Sequence, residues 1–328
     1  MKYICKLPEP EELQQRLPLN EEQKKSRQRI LKEINDILSG KSKKKIIIIG
    51  PCSSDREDAV LDYMHRLKRL SDKVNDVFLI IPRVYTSKPR TNGQGYKGIL
   101  HRPNANSNYD DILSGIDVVR NLHLKVIKET GMFCADEMLY PEITAYISDL
   151  LVYAAVGARS VEDQQHRLVA SGLDFPVGMK NPTRGDYSIM LNAISAAQHC
   201  HSLTYRGYIV ETEGNHYVFF VSMQYIRLSE LVNAKTQAKN QDKQDEDFWG
   251  HSTTKENEKL KADILNTDWD FVVIDEAHEG TRTALGKRVI DEFLKKDKTK
   301  MLHLSGTPFN LYEDFKEEEI YTWDYISE

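Results

Sequence analysis

Two groups of residues combine types and spacings that could do chemistry. The first is GPCS at 50–53 with RVYTSKPRT at 83–91, which sets Cys52 beside Arg83, Lys88 and Arg90. Thiolate is a good ligand for a divalent metal, and Arg and Lys clamp phosphate and carboxylate, so the group could hold a metal beside an anionic substrate. The alternative is a buried cysteine among solvated cations. The second group is GARSVEDQQHR at 157–167 with GMKNPT at 178–183, which adds Arg159, His166 and Lys180. Taken alone, His166 reads as a hydrogen-bonding structural histidine.

These residues need elements to bring them together, and the sequence supplies a regular series. Each charged group follows a short apolar run: IIII (46–49), VFLII (77–81), FCAD (133–136, followed by Glu137), AAVGAR (154–159) and PVGMK (176–180), with SLTY (202–205) as a weaker sixth. Runs of this length and β-branched content predict buried strands. Helical patterns fill most of the gaps. Residues 21–38 place Ile30, Leu31, Ile34, Ile37 and Leu38 on one face, with Gly40 positioned to stop the helix. Alternating strands and helices predict right-handed crossovers and a parallel sheet, and six such units suggest a β/α barrel. The charged strand ends would then share the catalytic face, which favours an anion site over a solvated surface.

Composition bounds the rest. With 328 residues, 40% hydrophobic and 29% charged, the chain has ample material for a core, which excludes disordered and fibrous classes. Its longest apolar stretches, 46–49 and 150–158, fall far short of the roughly 18 residues of a membrane span. The N-terminus carries no signal-peptide pattern, which predicts a cytoplasmic protein with no membrane partner. Four scattered cysteines argue against a disulfide framework or a structural zinc site. The net charge of −5 divides into +3 over residues 1–217 and −8 over 218–328, so two kinds of sequence meet near residue 218.

GPCS, KPRT followed by GYKG, ADEML, GARSVEDQQHR and ASGLDFPVGMKNPTRGD, in this order, resemble the 3-deoxy-D-arabino-heptulosonate 7-phosphate (DAHP) synthases of the microbial, feedback-regulated class. The resemblance covers residues 1–217. It implies a β/α barrel that condenses phosphoenolpyruvate with erythrose 4-phosphate at a divalent metal (Mn²⁺, Fe²⁺, Co²⁺ or Zn²⁺), releasing phosphate in the first step of aromatic amino-acid synthesis. Cys52 matches the family's metal-binding cysteine. Arg83, Lys88, Glu137, Arg159 and Lys180 match positions around phosphoenolpyruvate, with Lys88, Glu137 and Lys180 as the catalytic candidates. Arg90 and Thr91 match the side that receives the aldose phosphate, and His166 joins the substrate-binding candidates. Residues 1–45 resemble the extension that forms subunit contacts and the inhibitor site, implying a homo-oligomer and an aromatic amino-acid inhibitor. After GYIVETEGNHY (207–217) the family's last strands, with a metal-binding histidine, glutamate and aspartate and an arginine of the phosphate site, do not follow.

Residues 218–328 instead resemble motifs II and III of a superfamily 2 helicase or restriction-enzyme motor, through FVVIDEAHEGT (271–281) and LSGTPFN (304–310). That resemblance implies Asp275 on the Mg²⁺ of ATP, Glu276 positioning the attacking water, His278 completing the DEAH motif, and Ser305 to Thr307 coupling hydrolysis to movement. No G-x-x-x-x-G-K-[ST] loop accompanies them. The expected architecture is therefore α/β: an extension (1–45), a barrel of about six of eight units (46–217), and a fragment of a RecA-like helicase lobe (218–328). A DAHP synthase-like activity leads. The alternatives are a nucleic-acid-dependent ATPase fragment and a non-catalytic phosphoenolpyruvate-binding chimera.

Overall fold

The structure is a computed structural model and describes residues 2–51, 53–90, 92–104, 106–107, 109–182, 187–215, 217–219, 271–274, 287, 290–291, 293–295, 300–303 and 311–320. The chain divides into two compact units, 1–220 and 221–328.

The first unit opens with α1 (Pro10–Arg16) and α2 (Glu21–Leu38). Asn20 starts α2 because its side chain accepts from the Gln23 N–H while the Gln23 side chain accepts from the Asn20 N–H, each at 2.9 Å. This reciprocal cap satisfies two backbone donors that the helix leaves unpaired. Gly40, at φ +75°, takes the chain out of the helix. Then follow β1 (Lys45–Ile49), α3 (Glu57–Val74), β2 (Phe78–Pro82), α4 (Ile112–Thr130), β3 (Cys134–Glu137), α5 (Pro141–Thr144), β4 (Leu151–Val156), α6 (Gln164–Ala170), β5 (Val177–Met179) and α7 (Tyr187–Gln198). A hairpin of β6 (Ser202–Tyr205) and β7 (Tyr208–Glu211) precedes β8 (Tyr217–Phe219).

The strands are parallel. β1 pairs with β2 from Lys45↔Phe78 to Ile49↔Pro82, and β3, β4, β5 and β8 form a four-stranded sheet in that order. A parallel bridge between Arg83 and Ala135, with the Val84 N–H donating to the Ala135 carbonyl at 2.9 Å, joins the two sheets between β2 and β3. Every residue of β4 is buried, as a parallel strand covered on both faces must be. Because all six strands run the same way, their carboxyl ends lie along one edge, and every charged residue singled out after a strand is carried there.

The opposite edge is held by two arginines. Arg27 on α2 donates to the Leu151 carbonyl at 2.8 Å and the Ser148 carbonyl at 3.1 Å, and forks onto Asp174 with two bonds of 2.8 Å. Arg120 on α4 is fully buried and is held by Leu17, Tyr146 and Asp149. Together these ties fasten the N-terminal segment beneath the amino ends of β4 and β5.

One expectation is corrected. SLTY is not a sixth parallel strand. It is β6, paired antiparallel with β7 through Ser202↔Glu211 and Tyr205↔Tyr208, and the strand beside β5 is β8. Arg206 and Gly207, both at positive φ, make the two-residue turn that folds β6 back on β7.

In the second unit β9 (Phe271–Ile274) and β10 (Lys300–His303) pair in parallel, Phe271 opposite Lys300. Ile274 and Leu311 are buried there, packed by Ile290, Met301 and Phe315. No helix among the described residues is long and apolar enough to cross a membrane.

Candidate functional site

At the carboxyl edge the β1 and β2 ends fit closely. A side chain at position 50 would collide with the Arg83 carbonyl, so Gly50 lets the GPCS turn lie against the RVYTSKPRT loop. The Arg83 N–H donates to the Ile49 carbonyl at 2.8 Å, and its guanidinium to the Gly50 carbonyl at 3.0 Å. The Ser54 N–H donates to the Tyr85 carbonyl at 3.2 Å.

Tyr85 gathers the cations. The Arg83 guanidinium lies 5.1 Å from the centre of its ring and the Lys180 ammonium 5.5 Å. The negative faces of an aromatic ring attract cations, so one side chain holds two like charges near each other. Lys180 enters directly after β5, with its N–H on the Val156 carbonyl at 3.0 Å.

Glu137 ends β3, opposite Ala155 of β4. Its carboxylate occupies the space that a side chain at Gly157 would need. Burial pushes its carboxyl above the ordinary carboxylate range and Asp136 adds to the rise, while Lys180, Lys88 and Arg159 pull the other way. Glu137 is thus electrostatically coupled to three of the cations singled out in the sequence.

The sign of the linkage is testable. A carboxyl raised in the folded state adds stability that is full at low pH and is lost as pH rises through its folded value, above the ordinary 4.5. Glu137→Gln, which cannot ionise, should therefore gain on the parent as pH climbs from 4 to 8, read as the difference in unfolding temperature. A constant difference across that range would refute the shift.

The remaining candidates lie as follows. Arg90 is exposed and donates to the Tyr96 carbonyl at 2.7 Å, and Arg159 is exposed in the turn after β4. His166 is 8% exposed, with Nδ1 at 2.5 Å from Asp163 Oδ2 and Nε2 at 3.1 Å from the Leu139 carbonyl. Both ring nitrogens thus meet protein acceptors, the arrangement of a histidine that ties α6 to the β3 end. Cys52, Thr91, Asp275, Glu276, His278, Ser305 and Thr307 lie outside the described residues. Among the described residues no three His, Cys, Asp or Glu side chains converge as a metal centre.

Two residues that matter here escaped the sequence reading. Tyr85 and Asp136 sit within the quoted motifs, but an aromatic beside an arginine and an acid beside another acid carry no signal on their own.

A family model described as the DAHP synthetase I family matches residues 17–245. The chain belongs to this family. It is 37% identical over 217 residues to the phenylalanine-inhibited phospho-2-dehydro-3-deoxyheptonate aldolase of Saccharomyces cerevisiae, covering 65% of this chain and 58% of the relative. Against the Tyr-sensitive enzyme of the same name from Escherichia coli it is 35% identical over 211 residues, covering 63% and 58%. The chain thus spans somewhat over half the length of these curated relatives. The solved structure of phospho-2-dehydro-3-deoxyheptonate aldolase from Francisella tularensis superposes with a TM-score of 0.67 at 27% identity, covering 93% of this chain and 86% of that one. The fold is mixed α/β with parallel sheets, like that synthase.

Proposed function

We propose that the chain is a DAHP synthase-like enzyme that joins phosphoenolpyruvate to erythrose 4-phosphate, with β1 to β5 and β8 forming part of a barrel wall. The observation that carries this reading is the convergence of Arg83, Lys180 and Glu137, coupled to Lys88 and Arg159, at the carboxyl ends of neighbouring parallel strands. Phosphoenolpyruvate brings a phosphate and a carboxylate, and a set of cations on one sheet edge matches both. Arg90 and Thr91, farther along the same loop, are assigned to the aldose phosphate.

In the reaction C3 of phosphoenolpyruvate bonds to the aldehyde carbon, water adds at C2, and the C2–O bond to phosphate breaks. The attacking water loses a proton and the aldehyde oxygen gains one. Glu137, its carboxyl raised by burial and drawn back by Lys180, Lys88 and Arg159, is suited to take the first and return the second. Arg83, Lys88, Arg159 and Lys180 fix the anionic groups in attack geometry. A divalent metal would polarise the aldehyde carbonyl when bound, with Cys52 as the ligand that the resemblance assigns.

The names of the relatives, phenylalanine-inhibited and Tyr-sensitive, support an aromatic amino-acid inhibitor for this chain too. The extension that would receive it is tied to the hairpin, since Arg206 pairs with Glu9 at 2.9 Å and Glu11 at 3.3 Å. The motor reading of residues 218–328 rests on the DEAH and SGTP tetrapeptides alone, and the family model, which runs to residue 245, crosses its expected boundary at 218.

The test is phosphate release by the purified chain given phosphoenolpyruvate, erythrose 4-phosphate and Mn²⁺, with a chelator control. The proposal expects release that needs both substrates and is lost with chelator and in Cys52→Ala. Phosphoenolpyruvate binding without release would make the chain a non-catalytic binder. Nucleic-acid-stimulated ATP hydrolysis instead would transfer the function to the second unit.

A further inference from the structure

The RVYTSKPRT loop must hold Arg83, Lys88 and Arg90 in place without regular structure of its own. Between β2 and α4 lie 29 positions, and none of the described ones belongs to a helix or strand. A loop of that length costs conformational entropy to order, so something must tie it down. The ties converge on one buried acid.

Asp136 is 2% exposed and points away from Glu137 in the alternation of β3. Its Oδ1 accepts from the Thr86 N–H at 3.0 Å and from the Glu137 N–H at 2.7 Å. Its Oδ2 accepts from the Thr86 hydroxyl at 2.6 Å and lies 3.4 Å from Nε2 of His123, a fully buried histidine on α4 whose Nδ1 has no partner among the described residues. Thr86 passes the tie onward, because its carbonyl accepts from the Leu100 N–H at 3.2 Å. Two residues later the Lys88 N–H donates to the Lys97 carbonyl at 2.9 Å. A carboxylate accepting three short bonds from two segments is a rigid bracket, since charged acceptors make stronger hydrogen bonds than neutral ones.

From this geometry we infer that Asp136 is the positioning residue of the anion site, clamping Thr86 so that the cations of the loop stand beside Glu137 at the β3 end. The inference rests on the phosphoenolpyruvate reading for its ligand, but the clamp itself is measured separately. No bond to substrate is assigned to Asp136.

The experiment pairs hydrogen exchange of peptides covering residues 84–100 with phosphoenolpyruvate binding by calorimetry, in the full chain and in Asp136→Ala, Asp136→Asn and Thr86→Val. In Asp136→Asn the amide oxygen still accepts from both N–H groups and the amide nitrogen donates to the Thr86 hydroxyl, so the bracket survives. The expected result is faster exchange confined to 84–100 and roughly tenfold weaker binding in Asp136→Ala, with rescue to within about threefold in Asp136→Asn and an intermediate loss in Thr86→Val. Unchanged exchange at 84–100 in Asp136→Ala would overturn the clamp. So would exchange raised evenly along the chain, or failure of Asp136→Asn to rescue. If the parent chain has a protected loop that loosens in Asp136→Ala but binds no phosphoenolpyruvate, the clamp stands and the ligand reading fails.

Discussion

Replacing Arg120 with alanine should cost about 3–5 kcal/mol of folding stability, the largest effect expected of any single substitution in this chain. The side chain is fully buried and all its donors are spent. Nε and Nη2 donate to the Leu17 carbonyl at 2.9 and 2.7 Å, Nη1 to the Tyr146 carbonyl at 2.8 Å, and Nη1 and Nη2 to the two Asp149 oxygens at 2.7 and 2.8 Å. Alanine leaves two carbonyls and a carboxylate without a partner and opens a void the size of the lost side chain. Unmet buried acceptors cost about 1–3 kcal/mol each, and the void adds to that. Asp149 retains some contact with water, its side chain being 31% exposed, which keeps the total within the stated range. Arg120→Lys should fall between, because an ammonium keeps the charge but cannot reach three acceptors in a plane. Urea unfolding midpoints would check both. The loss should also loosen α1, whose last turn ends at the Leu17 carbonyl, so exchange should rise there first. A change under about 1 kcal/mol in Arg120→Ala would mean that water replaces the guanidinium, and that the N-terminal segment is held mainly by Arg27 and the hairpin.

The same arginine marks where the sequence was legible and where it was not. Helix α2 could be drawn from 21 to 38 because its apolar period and its Gly40 stop are both local. The parallel strands could be placed to within a few residues because β-branched runs bounded by Gly, Pro and charge have few other solutions. SLTY misled for the same reason. Four residues of alternating apolar character fit a hairpin strand as well as a sheet strand, and the deciding signal was the Arg206-Gly207 turn that follows. Arg120 looks like one more polar residue of a helix, since its partners lie 26 to 103 positions away. Asp136 is hidden likewise, its bracket partner Thr86 being 50 residues upstream. For the site, the cations were found because each is charged and follows a strand. The groups that arrange them, Tyr85 and Asp136, were missed because their role exists only once β2, β3 and β5 lie side by side.

Lys180→Met should weaken phosphoenolpyruvate binding by roughly 30- to 150-fold while leaving the fold as stable as before. Methionine keeps the length of the side chain and removes its charge. An ammonium about 4 Å from a phosphate or carboxylate oxygen contributes about 4 kcal/mol at the dielectric typical of a protein surface. The site is half-buried and open to salt, which reduces the net to about 2–3 kcal/mol, and each 1.4 kcal/mol is tenfold in affinity. Stability should not fall in parallel. Without ligand Lys180 shares the Tyr85 ring with Arg83, and removing one of two like charges relieves repulsion as it loses a cation–π contact. Binding and stability thus move independently, which a residue needed only for packing could not do. A second effect follows from Glu137. Lys180 is the strongest influence holding that carboxyl down against burial, so its removal should push Glu137 higher still and move the acidic side of any pH–rate profile to higher pH. Lys180→Arg, which keeps the charge, should retain most of the affinity and the original profile. Equal binding in parent and Lys180→Met would take Lys180 out of the anion site and leave Arg83, Lys88 and Arg159 to account for it. Weaker binding with an unmoved pH profile would keep Lys180 on the anion but break its link to Glu137, and with it the argument that one carboxyl carries both protons.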